Sequence, residues 1–259
     1  MSSSSTFFFE KAGAFVATDN TRGPWDPEHQ HAGPPSALLA RAFERFEPKD
    51  NLRIVRVTTE ILRPVPIEEL RLDVSLVRSG RSVELLEGTL RSERHEVMRA
   101  RAWRMRETDI GIPEPHRQPM RLLEDARPVP LFPTLAEVGY HTSMEWRFFS
   151  GGFHDPGPGE AWLRMKIPLV PGEDPSPLVR TIVAADSGNG VSSPLDYERY
   201  LFVNTDLTVQ LYRDPEGEWI GLDARSHVEP TGIGLTETVL HDRSGPVGRA
   251  MQTLFVAKR

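Results

Sequence analysis

The residue that first asks for a chemical reason is Asp206, inside "LFVNTDLTVQLYRDPEGEWIGLDARSHVEP", residues 201–230. Leu207, Val209 and Leu211 alternate with more polar neighbours, the period-2 pattern of a half-buried strand, and aspartate is among the residues such strands disfavour. A carboxylate there is either a hydrogen-bonded structural group or an acid–base group. A second candidate is "HQH", His29 to His31, whose spacing metal sites can use. No cysteine ligand accompanies it, so no metal is expected, and the histidines read as loop contacts or packing groups. Arg91, Arg94, Arg99, Arg101, Arg104 and Arg106 form a basic run. Its simplest reading is a solvated strand face; phosphate recognition is the other use to which arginine is suited.

The elements that must position these groups come in two similar series. "GPPSALLARAFERF" places Pro34 and Pro35 in a first helical turn, followed by Leu38, Leu39, Ala42, Phe43 and Phe46 at helical spacing. Four short strand-like runs follow. Later, "SPLVRTIVAADSG" offers Ser176 as N-cap, Pro177 at the first helical position and Gly188 as a stop, and again four strand runs follow. Six prolines between Pro113 and Pro133 mark a boundary where regular structure is not expected. Laying "TTEILRPVPIEELRLDVSL" over "NTDLTVQLYRDPEGEWIGLDARS" pairs Thr59 and Glu60 with Thr205 and Asp206, and a later segment pairs Ala102 with Gln252. The two halves read as copies of one unit, a helix with a long antiparallel sheet. That predicts an α+β double hotdog: an N-terminal hotdog over 1–107, a proline-rich linker over 108–139, and a C-terminal hotdog over 140–259.

Composition bounds the function. The chain carries a net charge of −6, has no cysteine, and is 38% hydrophobic and 26% charged. There is no electrostatic case for nucleic acid as partner, no disulfide frame and no thiolate nucleophile. "MSSSSTFFFEKAGAF" lacks a basic n-region, and no apolar run approaches the ~18 residues of a membrane span, so a cytoplasmic protein without a membrane partner is expected. No P-loop and no Gly-x-Gly-x-x-Gly occurs, which leaves nucleotide cofactors unsupported, and no cofactor is expected.

The segments "ADSGNGVSSPLDYERYLFVNTDLTVQLYRDPEGEWIGLDARS" and "GIGLTETVLHDRSGPVGRAMQTLFV" resemble the C-terminal part of double-hotdog acyl-CoA thioesterases of the type II kind, and "WDPEHQHAGPPSALLARA" is similar to the first hotdog of that family. The resemblance implies an acyl-CoA substrate, hydrolysis by an activated water, and further assembly into a homo-oligomer. It also implies a catalytic aspartate, hydroxyl residue and glutamine in the second hotdog, which match Asp206, either Ser226 or His227, and Gln252. Strand alternation favours Ser226, because it shares the apolar face with Ile220, Leu222, Ala224 and Val228, while His227 shares the polar face with Asp223 and Arg225.

For this chemistry Asp206 would be the general base, with Ser226 and Gln252 holding the water and the carboxylate. Two helix starts could supply backbone donors to the developing oxyanion: one at Gly33, limited by the missing N–H groups of Pro34 and Pro35, and one around Asp186 to Gly190, where Gly188, Asn189 and Gly190 would let the thioester approach. The absence of a Gly-x-Ser-x-Gly elbow disfavours a serine nucleophile. Two other functions suit the fold: an acyl-CoA hydratase or dehydratase, which would need His29 or His31 paired with Asp186, and a non-catalytic acyl-CoA-binding protein.

Overall fold

The computed structural model describes residues 5–128 and 136–259; part of the expected linker, 129–135, lies outside the described residues. In the first half, β1 (Phe8–Lys11), β2 (Ala14–Ala17), α1 (Gly33–Arg45), β3 (Leu52–Ile61), β4 (Glu69–Arg78), β5 (Val83–Arg91) and β6 (Glu96–Arg106) follow in order. The second half contains α2 (Tyr140–Ser143), β7 (Met144–Ser150), β8 (Gly159–Met165), α3 (Pro177–Ala185) and α4 (Gly188–Val191). It then closes with β9 (Tyr200–Asn204), β10 (Asp206–Leu211), β11 (Ile220–Val228), β12 (Ile233–Asp242) and β13 (Gly245–Lys258).

The strands form one antiparallel sheet in the order β1-β2-β4-β5-β6-β3-β10-β13-β12-β11-β8-β7, with β9 also on β13. The seam between the halves is the β3–β10 pair, and α1 and α3 pack against each other inside the curve. Their approach is close: a Cβ on Gly33 would stand 2.7 Å from the Val183 carbonyl oxygen, so the start of α1 admits no side chain there. Leu38, Leu39 and Phe43 of α1 are fully buried in a core shared with Val183, Leu207, Val209 and Leu222. At about 1.5–3 kcal/mol for each large apolar side chain removed from water, this shared core holds the two halves together. The N-terminal segment strengthens the join, since Phe7 and Phe8 donate backbone N–H groups to Pro168 and Leu169. Beyond 129–135, the linker docks through Met120 and Ala126 against Trp162, whose indole donates to Arg121 O at 3.1 Å.

The two halves of the sheet repeat one another register for register. Thr58 pairs with Arg101 as Thr208 pairs with Met251; Glu87 pairs with Arg101 as Glu237 pairs with Met251; Ser75 pairs with Glu87 as Arg225 pairs with Glu237. Each seam strand is interrupted at the same place, between Ile54 and Arg56 in β3 and between β9 and β10 in the second half. Thr58 and Thr208 face each other across the seam with their hydroxyls 3.1 Å apart.

In this register Ala102 corresponds to Gln252, as the sequence comparison has it, but the counterpart of Asp206 is Arg56. Glu60 is instead the residue directly across the seam from Asp206. The sequence overlay slips from Arg56 to Glu60, an even-numbered slip. Strand periodicity does not penalise it, since every side chain stays on its own face.

The basic run is also divided. Arg91, Arg94, Arg99, Arg101 and Arg106 are exposed, but Arg104 turns inward and is 3% exposed. Its Nε donates to Glu84 at 2.6 Å, and its Nη1 donates to the Phe46 and Glu47 carbonyls past the end of α1. This arginine satisfies backbone oxygens at a helix C-terminus, where cations are favoured.

Candidate active site

Helix α3 starts as its sequence dictates, with Ser176 Oγ accepting from Val179 N at 3.1 Å and Pro177 in the first turn. It ends at Asp186, beyond which the chain bends into the short α4. An aspartate at the end of an apolar helix must find donors if it is buried. Asp186 is 2% exposed, and three elements meet it. Asn204 Nδ2 from β9 donates to Oδ1 at 2.9 Å. Gln252 Nε2 from β13 donates to the Asp186 carbonyl at 3.0 Å and reaches Oδ1 at 3.4 Å. His31, just before α1 in the other half, brings Nδ1 to 2.9 Å from Oδ2.

The group therefore gathers residues 31, 186, 204 and 252 at the junction of the two hotdogs. Asp186, Asn204 and His31 line a cavity of about 580 Å3 whose apolar walls include Trp25, Trp146, Phe148 and Phe153. A mostly apolar cleft with a few convergent polar groups is the ordinary form of a small-molecule site.

Gln252 is fixed by what it touches. Its Oε1 accepts the Asn189 N–H at 3.1 Å, so Nε2 must face Asp186. The α4 backbone lies close over it: a Cβ on Gly188 would stand 2.6 Å from Thr238 Oγ1 and 3.0 Å from Gln252 Oε1. Gly188→Ala is expected to displace Gln252 and lower turnover at least tenfold while the protein stays folded, as steady-state kinetics with a circular-dichroism control would show; unchanged turnover would remove Gln252 from the site.

The expected site residues are distributed differently from the expectation. Asp206 is half-buried and does not line the cavity. Its carboxylate accepts the Thr253 N–H at 2.9 Å, and its carbonyl accepts Asn204 Nδ2 at 3.1 Å. The interruption at Thr205 would leave the Thr253 donor without a ladder partner, and Asp206 supplies one from its side chain. That answers why an aspartate stands in this strand: it holds the irregularity that turns Asn204 toward Asp186. Asp206→Asn keeps an acceptor oxygen for Thr253, so turnover should stay within about threefold of the unaltered protein. A loss of about 10²–10⁴ would place Asp206 in the reaction.

Ser226 faces inward, but its hydroxyl meets Ser192 Oγ at 2.8 Å and Thr236 Oγ1 at 2.7 Å, beneath α4 and away from the cavity lining. His227 is exposed on the outer face, 3.5 Å from Glu237. Neither Gly33 nor Gly188 lines the cavity, whereas Asn189 and Gly190 do. Of the amides considered as oxyanion donors, Asn189 N–H is taken by Gln252 and Gly190 N–H by Ser187 O at 3.0 Å, while Gly33 N–H is aimed at His31 Nδ1, 3.1 Å away. His29 also lines the cavity, with Asp26 3.3 Å from its Nδ1. Among the described residues, no cluster of three or more histidine, cysteine or carboxylate groups could hold a metal ion. Of the two His–Asp pairs that hydration would need, only His31 with Asp186 is brought together.

Sequence reasoning missed Asn204 altogether and weighed Asp186 only as part of a helix start or of that pair. The signal available was a carboxylate closing an otherwise apolar helix, "TIVAAD".

The sheet order, the two central helices and a polar cluster at their junction define a double-hotdog protein with a buried carboxylate in its inter-domain cavity. The acyl-CoA thioesterase N-terminal domain family matches residues 21–105 and the acyl-CoA thioesterase C-terminal domain family matches residues 123–256. The chain belongs to the acyl-CoA thioesterase family and is a thioester hydrolase acting on acyl-CoA. A search of curated protein sequences found no match.

Solved structures share the fold at low identity. A protein provisionally designated thioesterase II from Thermobifida fusca YX superposes with a TM-score of 0.76 at 15% identity, covering 98% of this chain and 96% of its own. A conserved hotdog-fold protein from Alicyclobacillus acidocaldarius gives 0.73 at 14%, with 96% and 95% covered. Acyl-CoA thioesterase II from Mycobacterium marinum gives 0.65 at 15%, with 96% and 94% covered.

Proposed function

We propose that Asp186 is the general base of the hydrolysis, and that Asn204 and Gln252 position it. The observation that carries this reading is the pair of side-chain amides converging on one oxygen of a buried, cavity-lining carboxylate. Asp186 takes a proton from water as the water oxygen bonds to the thioester carbonyl carbon. The tetrahedral intermediate then collapses, the C–S bond breaks, and the proton held by Asp186 passes to the leaving thiolate, releasing CoA and restoring the carboxylate. Positioned proton abstraction of this kind contributes about 10²–10⁴ in rate. The acyl chain lies along the aromatic wall, and Asn189 and Gly190 border the reacting carbonyl.

The experiment is CoA release from an acyl-CoA panel by the unaltered protein, Asp186→Asn and Asp206→Asn. Loss in the first variant with retention in the second supports the reading; the reverse pattern refutes it.

We also assign the two hotdogs to 1–107 and 140–259, either side of the linker. Among the described residues no helix is long and apolar enough to cross a membrane. A cytoplasmic location is supported by the cysteine-free sequence, and assembly into homo-oligomers by Ile233, Leu235, Met251 and Phe255, which are exposed together on the outer face of β12 and β13.

A further inference from the structure

His31 belongs to the first hotdog, yet the second hotdog supplies everything that fixes its ring except one contact. The imidazole lies flat on the Tyr140 ring, with centroids 3.7 Å apart and planes 11° from parallel. Tyr140 is itself fully buried; its hydroxyl donates to Val183 O at 2.7 Å and meets Ser187 Oγ at 2.8 Å. Burial pushes the phenol well above the usual tyrosine range against the pull of the Ser187 hydrogen bond, so Tyr140 is neutral wherever the protein is folded. Val183 and Ser187 flank Asp186 in the same helical corner. The stack therefore ties the ring's orientation to the backbone that carries the carboxylate.

The contact between His31 Nδ1 and Asp186 Oδ2, at 2.9 Å, cannot be two opposed lone pairs. A proton must lie between them. With that proton on Nδ1, Oδ2 is the acceptor of an N–H bond and Asp186 is a carboxylate able to accept a proton from water. Gly33 N–H is aimed at the same nitrogen from 3.1 Å and could bond to it only if Nδ1 carried its lone pair; one nitrogen cannot serve both neighbours, and the charge-assisted bond to the carboxylate is the stronger of the two. The remaining titratable neighbour is His141, also buried, whose imidazole is held below the usual histidine range by burial, and in smaller part by His31, against a raising hydrogen bond to the Ala136 backbone. Among the described residues no protein group hydrogen-bonds to Nε2, and the ring lines the cavity.

We propose that His31 is a positioning residue for Asp186: its Nδ1–H holds Oδ2 while the amides of Asn204 and Gln252 hold Oδ1, so the base is oriented from both hotdogs and the site is complete only when the two halves are docked. This rests on the reading of Asp186 as the base.

The test separates the two ideas. His31→Ala, confirmed folded by circular dichroism and thermal melting, should lose about 10- to 100-fold in kcat, the equivalent of one hydrogen bond to a charged group, with KM changed far less. His31→Asn places a side-chain N–H near the position of Nδ1 and should recover most of that loss. His31→Gln places its N–H near the position of Nε2 and should not. Combined with Asp186→Asn, His31→Ala should cost no more than about twofold further, because a group acting through Asp186 has nothing left to act on.

The inference is overturned by a folded His31→Ala with near-normal kcat, by His31→Asn no better than His31→Ala, or by losses that multiply in the double variant. If Asp186→Asn alone keeps its turnover, the reading of the base fails and this inference falls with it. That result is distinct from the other three.

Discussion

Asp186→Asn is expected to leave a folded protein whose kcat for acyl-CoA hydrolysis is lower by about 10²–10⁴, the range for loss of a positioned general base. The substitution keeps the shape of the side chain and one acceptor oxygen, so the Asn204 contact at Oδ1 can persist. What disappears is the ability to take a proton. The amide that replaces Oδ2 must also face His31 Nδ1, donor toward nitrogen, which is tolerated when that nitrogen carries its lone pair. Folding should therefore survive, and thiol-release kinetics with melting curves would check both halves of the statement. The sheet registers sharpen it, because the N-terminal hotdog offers no substitute. Where the second half has Gln252 the first has Ala102, and where the second half has Asn204 the first has Ile54, 6% exposed and apolar. One competent site per chain follows, and the residual rate of Asp186→Asn should show no second, slower active centre.

A second large effect belongs to stability. Glu84 is 1% exposed and accepts from Arg104 Nε and Lys49 Nζ, each at 2.6 Å. Removing one partner of a buried pair strands the other, at a cost of about 3–5 kcal/mol. Glu84→Gln should therefore lower the melting temperature by roughly 6–20 °C in a chain of this size. Its effect on kcat at low temperature should be small, because the pair lies at the far end of α1 from Asp186.

Acidity gives a further check. Burial pushes the Glu84 carboxyl up, but the hydrogen bonds from Lys49 and Arg104, with their charges, outweigh it and hold it below the usual glutamate range. A carboxyl lowered in the folded state contributes stability that is fully present above its unfolded pKa and is lost as pH falls through the folded one. The gap in stability between the unaltered protein and Glu84→Gln should then be widest near neutrality and shrink with acidification. A gap that grows as pH falls would contradict the assignment, as urea unfolding at several pH values would reveal.

Much of this protein is written locally in its sequence. Pro34 and Pro35 in the first turn of α1, Ser176 as the cap of α3 and the period-2 runs of the sheet are short-range instructions, and they place both long helices and the strand runs after each of them near where they form. Strands β1, β2, β7 and β8 were not read from the sequence. The resemblance carried by the second half also named Gln252, which does reach the polar cluster.

Which aspartate lines the cavity was not legible in the same way. Asp206 and Asp186 are both aspartates in apolar surroundings. Only the break at Thr205 decides that Asp206 bonds to Thr253 N–H, while Asn204 turns to Asp186. Such a break costs nothing in the sequence pattern, and an even-numbered slip between Glu60 and Arg56 keeps every side chain on its face. Periodicity therefore could not reveal the true register. The meeting of His31 with Asp186 is further still from local rules. It depends on how closely α1 and α3 cross at Gly33 and on a tyrosine delivered from beyond the linker, contacts between residues distant in the chain that only the docking of the two hotdogs creates.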